Sequence, residues 1–261
     1  MKTKIKCKKC GDIFMDWPSN YRSYCSQECY HESKQFREMI KKVGFQKGHL
    51  GYSKGRPHIY FCNNNFFSQY NEQSCYWAGF IAADGNIRKN KGNEIKISLH
   101  EKDKNHLQKF LEHLKATYPL KELKAKNQFY IDISNKKLVD DLRTNFNITP
   151  KKSFTIQCPS QIPKEFNHHF IRGVTDGDGC WSKCNKGQWS LTITSGSCGF
   201  LKSIQKVLIK NCSVNKVNIY KVQRKHLISN LRYRGNKQIK RIVNYLYKDA
   251  TVYLERKYIN L

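Results

Sequence analysis

The chain has 261 residues, enough for one or two domains with real cores, and its 48 Lys and Arg against 20 acidic residues leave a net charge of +28. A charge that large repels itself in the compact state and calls for an anionic partner. No apolar run approaches the roughly 18 residues of a membrane span, and the opening MKTKIKCKKC lacks a signal-peptide core, so neither a membrane protein nor a secreted one is expected.

The basic residues are spread along the chain rather than gathered in one tail, as suits a folded surface on a long polyanion, so nucleic acid is the leading partner. Eleven cysteines without a secretory signal point to a reducing, intracellular compartment and to metal binding rather than disulfides. A bacterial or phage-infected cytoplasm, or an organelle matrix, fits.

The first element, residues 1–32, carries Cys7-x2-Cys10, fourteen intervening residues, then Cys25-x3-Cys29. Two close thiol pairs across a short loop supply the four soft ligands that zinc takes in a tetrahedron. Gly11 suits the turn after the first pair, and Phe14, Trp17 and Tyr24 are expected to form a small core. The module is similar to short treble-clef zinc folds. His31 is read as a surface histidine. The other seven cysteines form no second pair of pairs; Cys180-x3-Cys184 lacks a partner pair. Residues 33–73 show no sustained period and read as a basic linker.

Beyond residue 73 the chain repeats in outline. A helix from about Ser74 to Ala83 leads to two strands around a Gly92-Asn93 turn, with Ile95, Ile97 and Leu99 on one face. Leu107, Phe110, Leu111 and Leu114 mark a helix, 121–134 a second hairpin, and Asn135 the cap of a further helix. The second pass begins with a helix from about Pro163, continues with strands about Lys186-Gly187, then a helix, a hairpin and a closing helix. Each half is α-β-β-α-β-β-α, spanning 74–160 and 161–261, so the fold class is α+β: a tandem repeat with pseudo-twofold symmetry in one chain.

Each half opens with a helix running into an acid and a glycine: WAGFIAADG ends at Asp84-Gly85, IRGVTDGDG at Asp178-Gly179. The negative end of the helix dipole is the unfavourable place for a carboxylate. The glycines suit left-handed caps. Gly79 and Ala83, then Gly173 and Gly177, form small-residue stripes that let two backbones approach closely. If the helices pair, Asp84 and Asp178 meet at their tips, where a divalent cation would keep both ionised. Such a pair in a basic protein is the chemistry of phosphodiester cleavage.

These two nine-residue segments resemble the motifs of single-chain LAGLIDADG homing endonucleases, over most of residues 74–261. TPKKSF and YLERKY also match the family's spacing. The resemblance implies eight strands forming a saddle astride double-stranded DNA with a long specific target, a monomer, and site-specific double-strand cleavage leaving 3′ overhangs. It places catalytic magnesium (Mg2+) at Asp84 and Asp178, with Ala83 and Gly177 as adjoining metal positions, and basic catalytic residues at Lys152 and Lys257. DNA contacts are expected from Arg88, Lys89, Lys96 and Ser98 in the first half, and from Lys183, Gln188, Ser190, Thr192 and Arg232 in the second. The family core lacks the zinc (Zn2+) module, and Ala82 replaces an acid that the second motif keeps as Asp176. The alternative on the same fold is a catalytically silent RNA-binding intron maturase or DNA-binding regulator. A histidine nuclease at Asn167–His169 is disfavoured, since no metal-ligand pattern accompanies it.

Overall fold

The computed structural model describes residues 1–43, 59–88, 93–184, 187–223 and 227–261. The chain divides into two compact units, Met1–Ile59 and Tyr60–Leu261.

In the first unit, β1 (Thr3–Lys6) and β2 (Ile13–Asp16) form an antiparallel hairpin, followed by α1 (Gln27–His31) and α2 (Lys34–Val43). Ser26 caps α1 by accepting the Cys29 N–H at 3.2 Å, and Ser33 accepts from Phe36 at 3.1 Å at the start of α2. The expected linker thus begins with a helix. The expected aromatic core also differs: Trp17 is 50% exposed, and Tyr24, Tyr30, His31 and Phe36 pack ring on ring instead. His31 is solvent-exposed, as expected, although its ring lies 4.5 Å from that of Phe36.

The second unit runs α3 (Glu72–Asp84), β3 (Gly85–Arg88), β4 (Glu94–His100), α4 (Lys104–His113), β5 (Lys121–Leu123), β6 (Gln128–Ser134) and α5 (Lys136–Phe146). It then repeats the order as α6 (Asn167–Asp178), β7 (Gly179–Lys183), β8 (Trp189–Ser195), α7 (Cys198–Cys212), β9 (Ile219–Gln223), β10 (Leu227–Arg234) and α8 (Asn236–Leu246). Both sheets are antiparallel, ordered β3-β4-β6-β5 and β7-β8-β10-β9, so the α-β-β-α-β-β-α repeat is real down to strand order.

α3 starts at Glu72, earlier than its apolar run implies, because Asn71 and Ser74 close a capping box. Every residue from Ser74 to Ala82 is buried, the mark of a helix with no solvent face. α6 begins at Asn167 after a 3-10 turn at Lys164–Phe166, not at Pro163. Asn135 caps α5 as expected, accepting from Leu138 at 3.1 Å. Residues 60–71 pack on the core rather than tether it: Phe67 is wholly buried against Phe146, and Asn145 donates to the Phe67 carbonyl at 2.9 Å. Burying an aromatic of this size is worth about 1.5–3 kcal/mol, which an open linker would forgo. Gly92 and Lys186 of the expected turns lie outside the described residues.

Candidate active site

α3 and α6 meet backbone to backbone. A Cβ on Gly79 would stand 2.0 Å from the Phe170 carbonyl oxygen, and one on Gly173 2.0 Å from that of Tyr76. Only glycine permits this approach. Further along, a Cβ on Gly177 would stand 2.4 Å from that of Ala83 and 3.5 Å from the Asp84 Oδ2. The small stripe therefore brings the carboxyl ends of the two helices together, with Asp84 and Asp178 as their last residues. The chain is a tandem α-β-β-α-β-β-α repeat whose two motif helices cross on glycine and end in paired acids. The fold resembles that of single-chain LAGLIDADG endonucleases.

The two acids end their helices without the expected left-handed caps. Gly85 (φ −84°, ψ 158°) and Gly179 (φ −86°, ψ 150°) are extended. They are glycine for want of space: a Cβ would lie 2.8 Å from the Ile81 carbonyl oxygen in one and 2.3 Å from that of Thr175 in the other.

Both carboxylates reach solvent yet have protein crowded about them. Loss of hydration and then the charge of Asp84 push Asp178 up to about 6. Burial also raises Asp84, against the pull of Lys257, Lys152 and Arg256. The Lys152 ammonium donates to the Gly85 carbonyl at 2.7 Å, and Lys257 donates to those of Gly177 and Gly179 at 2.7 and 2.8 Å. Each lysine thus sits beside the acid-glycine step of one motif. Burial lowers both lysines, while Asp84 and Asp178 oppose that shift. The donor set here is oxygen only, two carboxylates and main-chain carbonyls, which suits a hard divalent cation.

Reading the sequence residue by residue missed what holds this arrangement. Asp176, wholly buried, accepts from Tyr76 Oη (2.8 Å), Tyr247 Oη (3.2 Å) and the Leu254 N–H (2.7 Å). Buried Arg172 donates to Glu72 (2.7 Å) and to the carbonyls of Leu246 and Val252 (2.8 and 2.9 Å). Glu72 in turn accepts from the Thr251 N–H at 2.6 Å and hydroxyl at 2.8 Å. Arg256 chelates buried Asp103 at 2.6 and 2.7 Å, and Lys109 pairs with Glu255. Residues 251–257 are therefore fastened to both halves, and they carry Lys257. The available signal was the pair of ionic residues, Arg172 and Asp176, on either side of the Gly173–Val174 step of the motif helix.

On the sheets, Arg88, Lys96, Ser98, Thr192 and Arg232 stand on the outward faces, opposite the buried Ile97, Leu191 and Ile193, while Gln188 is exposed just before β8 begins. Ser190 also faces outward but is buried and shares a 2.8 Å hydrogen bond with Ser182. Lys183 is displaced: it pairs with Trp189, on the core-side parity of Gly179 and Trp181, and its ammonium lies 5.8 Å from the Trp189 ring. Strand β7 begins at Gly179, which puts Cys180 and Ser182 outward instead. Lys89 lies outside the described residues.

In the first unit, Cys7, Cys10, Cys25 and Cys29 place their sulfurs within 4.8 Å of one another, the one such cluster among the described residues. Tetrahedral thiolates about a zinc ion stand about 3.7 Å apart, and the Cys10–Cys25 and Cys25–Cys29 separations are both 3.5 Å. Gly11, at φ +85°, makes the knuckle turn that returns its N–H to the Cys7 carbonyl at 3.1 Å. Burial pushes the Cys7 thiol up, but main-chain N–H groups of Cys10, Cys25 and Lys9 outweigh it and bring it to about 6.

Neither a family model nor a curated protein matches the chain. Among solved structures, the homing endonuclease I-WcaI bound to its DNA recognition sequence is 14% identical, covering 76% of this chain and 92% of its own, with a TM-score of 0.47. I-DmoI in complex with DNA and Ca is 18% identical over 70% and 90%, TM-score 0.45. The N-terminal LAGLIDADG domain of DUF199/WhiA is 16% identical over 74% and 91%, TM-score 0.45. With identities and TM-scores this low, function rests on the chain's own residues. Among the described residues no helix is long and apolar enough to cross a membrane.

Proposed function

We propose that this protein is a monomeric, site-specific endonuclease that hydrolyses both strands of duplex DNA with magnesium at Asp84 and Asp178. The observation that carries this is the meeting of two acids at the tips of glycine-paired helices, each flanked by a lysine, in a chain of net charge +28. A divalent cation would relieve the repulsion between the two carboxylates, and the lysines with the surrounding positive charge would draw a phosphodiester to it.

Asp84 and Asp178, with the carbonyls of Ala83 and Gly177, are the residues that would hold magnesium. The bound ion supplies Lewis acidity and a nucleophile at neutral pH. Lys152 and Lys257 offset charge developing on the scissile phosphates, one at each strand. Arg88, Lys96, Ser98, Thr192 and Arg232 on the outward faces, with Gln188 just before β8, would meet the DNA. Zinc on the four cysteines would be structural, its coordination sphere closed by four thiolates.

The test is cleavage in magnesium of duplexes selected from a randomised library. Asp84→Asn and Asp178→Asn should each abolish double-strand breaks and leave duplex binding largely intact. Full double-strand cutting by the variant carrying both would sink the assignment. Retained sequence-specific binding with no cutting by the unaltered protein would favour a regulator, and preference for structured RNA a maturase.

A further inference from the structure

The two sheets are equivalent in topology but not in chemistry. On the outward face of β3–β6, each cation among the described strand residues is already matched by an acid. Arg88 Nη1 lies 3.0 Å from Glu94 Oε1, and Arg88, Lys96 and Lys121 lie 3.9, 3.7 and 3.7 Å from the Asp132 carboxylate. Asp132 stands on inner strand β6, between inward-facing Ile131 and Ile133. Its side chain is 19% exposed. The three cations neutralise it from beyond hydrogen-bond range; its Oδ1 is shut off from solvent and has no hydrogen-bond donor among the described residues, which leaves Oδ2 as the oxygen that can accept from outside.

Strands β7–β10 contain no acidic residue. Arg232 and Arg234 alternate there with buried Leu231 and Tyr233. Among the described residues neither guanidinium has an ion pair or hydrogen-bond partner. With Tyr220 and Asn230 they line an open recess of about 450 Å³.

A carboxylate turned toward a polyanion is repelled unless it accepts hydrogen bonds there. The donors that the major groove offers are the amino groups of cytosine N4 and adenine N6. An unpaired guanidinium fork matches the opposite pattern, the paired acceptors O6 and N7 of guanine. Resting on the DNA-binding reading above, we propose that the two sheets read opposite hydrogen-bond polarity. Asp132 accepts from a base amino group in one half-site, and Arg232 and Arg234 donate to guanine in the other. Arg88, Lys96 and Lys121 serve first to hold the Asp132 carboxylate aimed, and only secondarily to meet phosphate.

The experiment is selection of bound duplexes from a randomised library by the full chain without added magnesium, so that no strand is cut. Asp132→Ala should lose its preference for an amino-bearing base at one position of one half-site, by roughly 5- to 150-fold, with other positions unchanged. Asp132→Asn, nearly isosteric, should shift that position toward adenine, which an amide pairs bidentately. Arg232→Ala should lose guanine in the other half-site. If Asp132 only organises its neighbouring cations, both Asp132 variants will change affinity alike for all sequences with base preferences intact, and the proposal falls. If the unaltered protein enriches no sequence, the DNA-binding reading itself falls, and this one with it.

Discussion

The carboxylate of Asp176, on the second motif helix, accepts the main-chain N–H of Leu254 at 2.7 Å. That contact, with Tyr76 and Tyr247 on the same carboxylate, pins the strand of chain that ends in Lys257 three residues later. The second motif's extra acid is thus a structural anchor for a site lysine. Asp176→Ala leaves two hydroxyls and an N–H without their acceptor in the interior, at a cost of about 2–4 kcal/mol. Urea unfolding should show that loss. Nicking assays should show the surviving activity confined mainly to one strand, because Lys152 is held separately by Gly85.

The glycine crossing makes a sharper prediction. Gly173→Ala places a methyl where the Tyr76 carbonyl oxygen already stands, 2.0 Å away, and neither backbone has room to yield. Overpacking of this kind costs about 1–3 kcal/mol or more. An equal change at Gly235, where a Cβ meets nothing within 4 Å, is strained only by its φ of +95°. Thermal melting should rank Gly173→Ala as the more damaging, and cleavage should fall with it as the acids move apart.

Metal and protons compete for Asp178. Its carboxyl is raised from 3.8 to about 6, so without magnesium the folded state binds this proton more tightly than the unfolded state. The resulting stability is present below about pH 4 and is lost as pH rises through about 6. Between about pH 4 and 6.5 the magnesium-free unit Tyr60–Leu261 should therefore melt lower as pH rises. Asp176, also raised to about 6, adds in the same direction. Magnesium should reverse the trend, and Asp178→Asn should lessen it, leaving the share of Asp176. At subsaturating magnesium, cleavage should decline on acidification below pH 6. Melting curves with and without magnesium, alongside pH–rate profiles, check both arms.

The four-cysteine cluster predicts one zinc per chain. Cys25 lies 3.5 Å from both Cys10 and Cys29 and sends its N–H to Cys7 Sγ, so it is the hub. Cys25→Ser should release the metal by elemental analysis and unfold residues 1–43 to protease. The unit from Tyr60 onward, with its own core, should melt as before. An unaltered protein free of zinc would refute the assignment.

Much of this molecule was readable from its sequence because the decisive signals are local. Two motifs with glycine four residues before a small residue, each ending in Asp-Gly, announce the paired helices and their acids. Period-two strands and period-3.6 helices in repeated order announce the fold, and two thiol pairs announce the metal cluster. What local signals do not carry is which residues far apart in the chain meet. Arg172 and Asp176 look misplaced in the motif helix until Glu72, Tyr76, Leu246 and residues 251–254 close around them. The parity of β7, which turns Lys183 away from the outward face, follows from its pairing with β8 and not from alternation alone. The glycines after the acids are required by contact with the preceding helical turn rather than by a left-handed dihedral. Periodicity is fixed by backbone geometry, residue by residue. Register, burial of charge and close approach are set by partners that only the folded chain brings within reach.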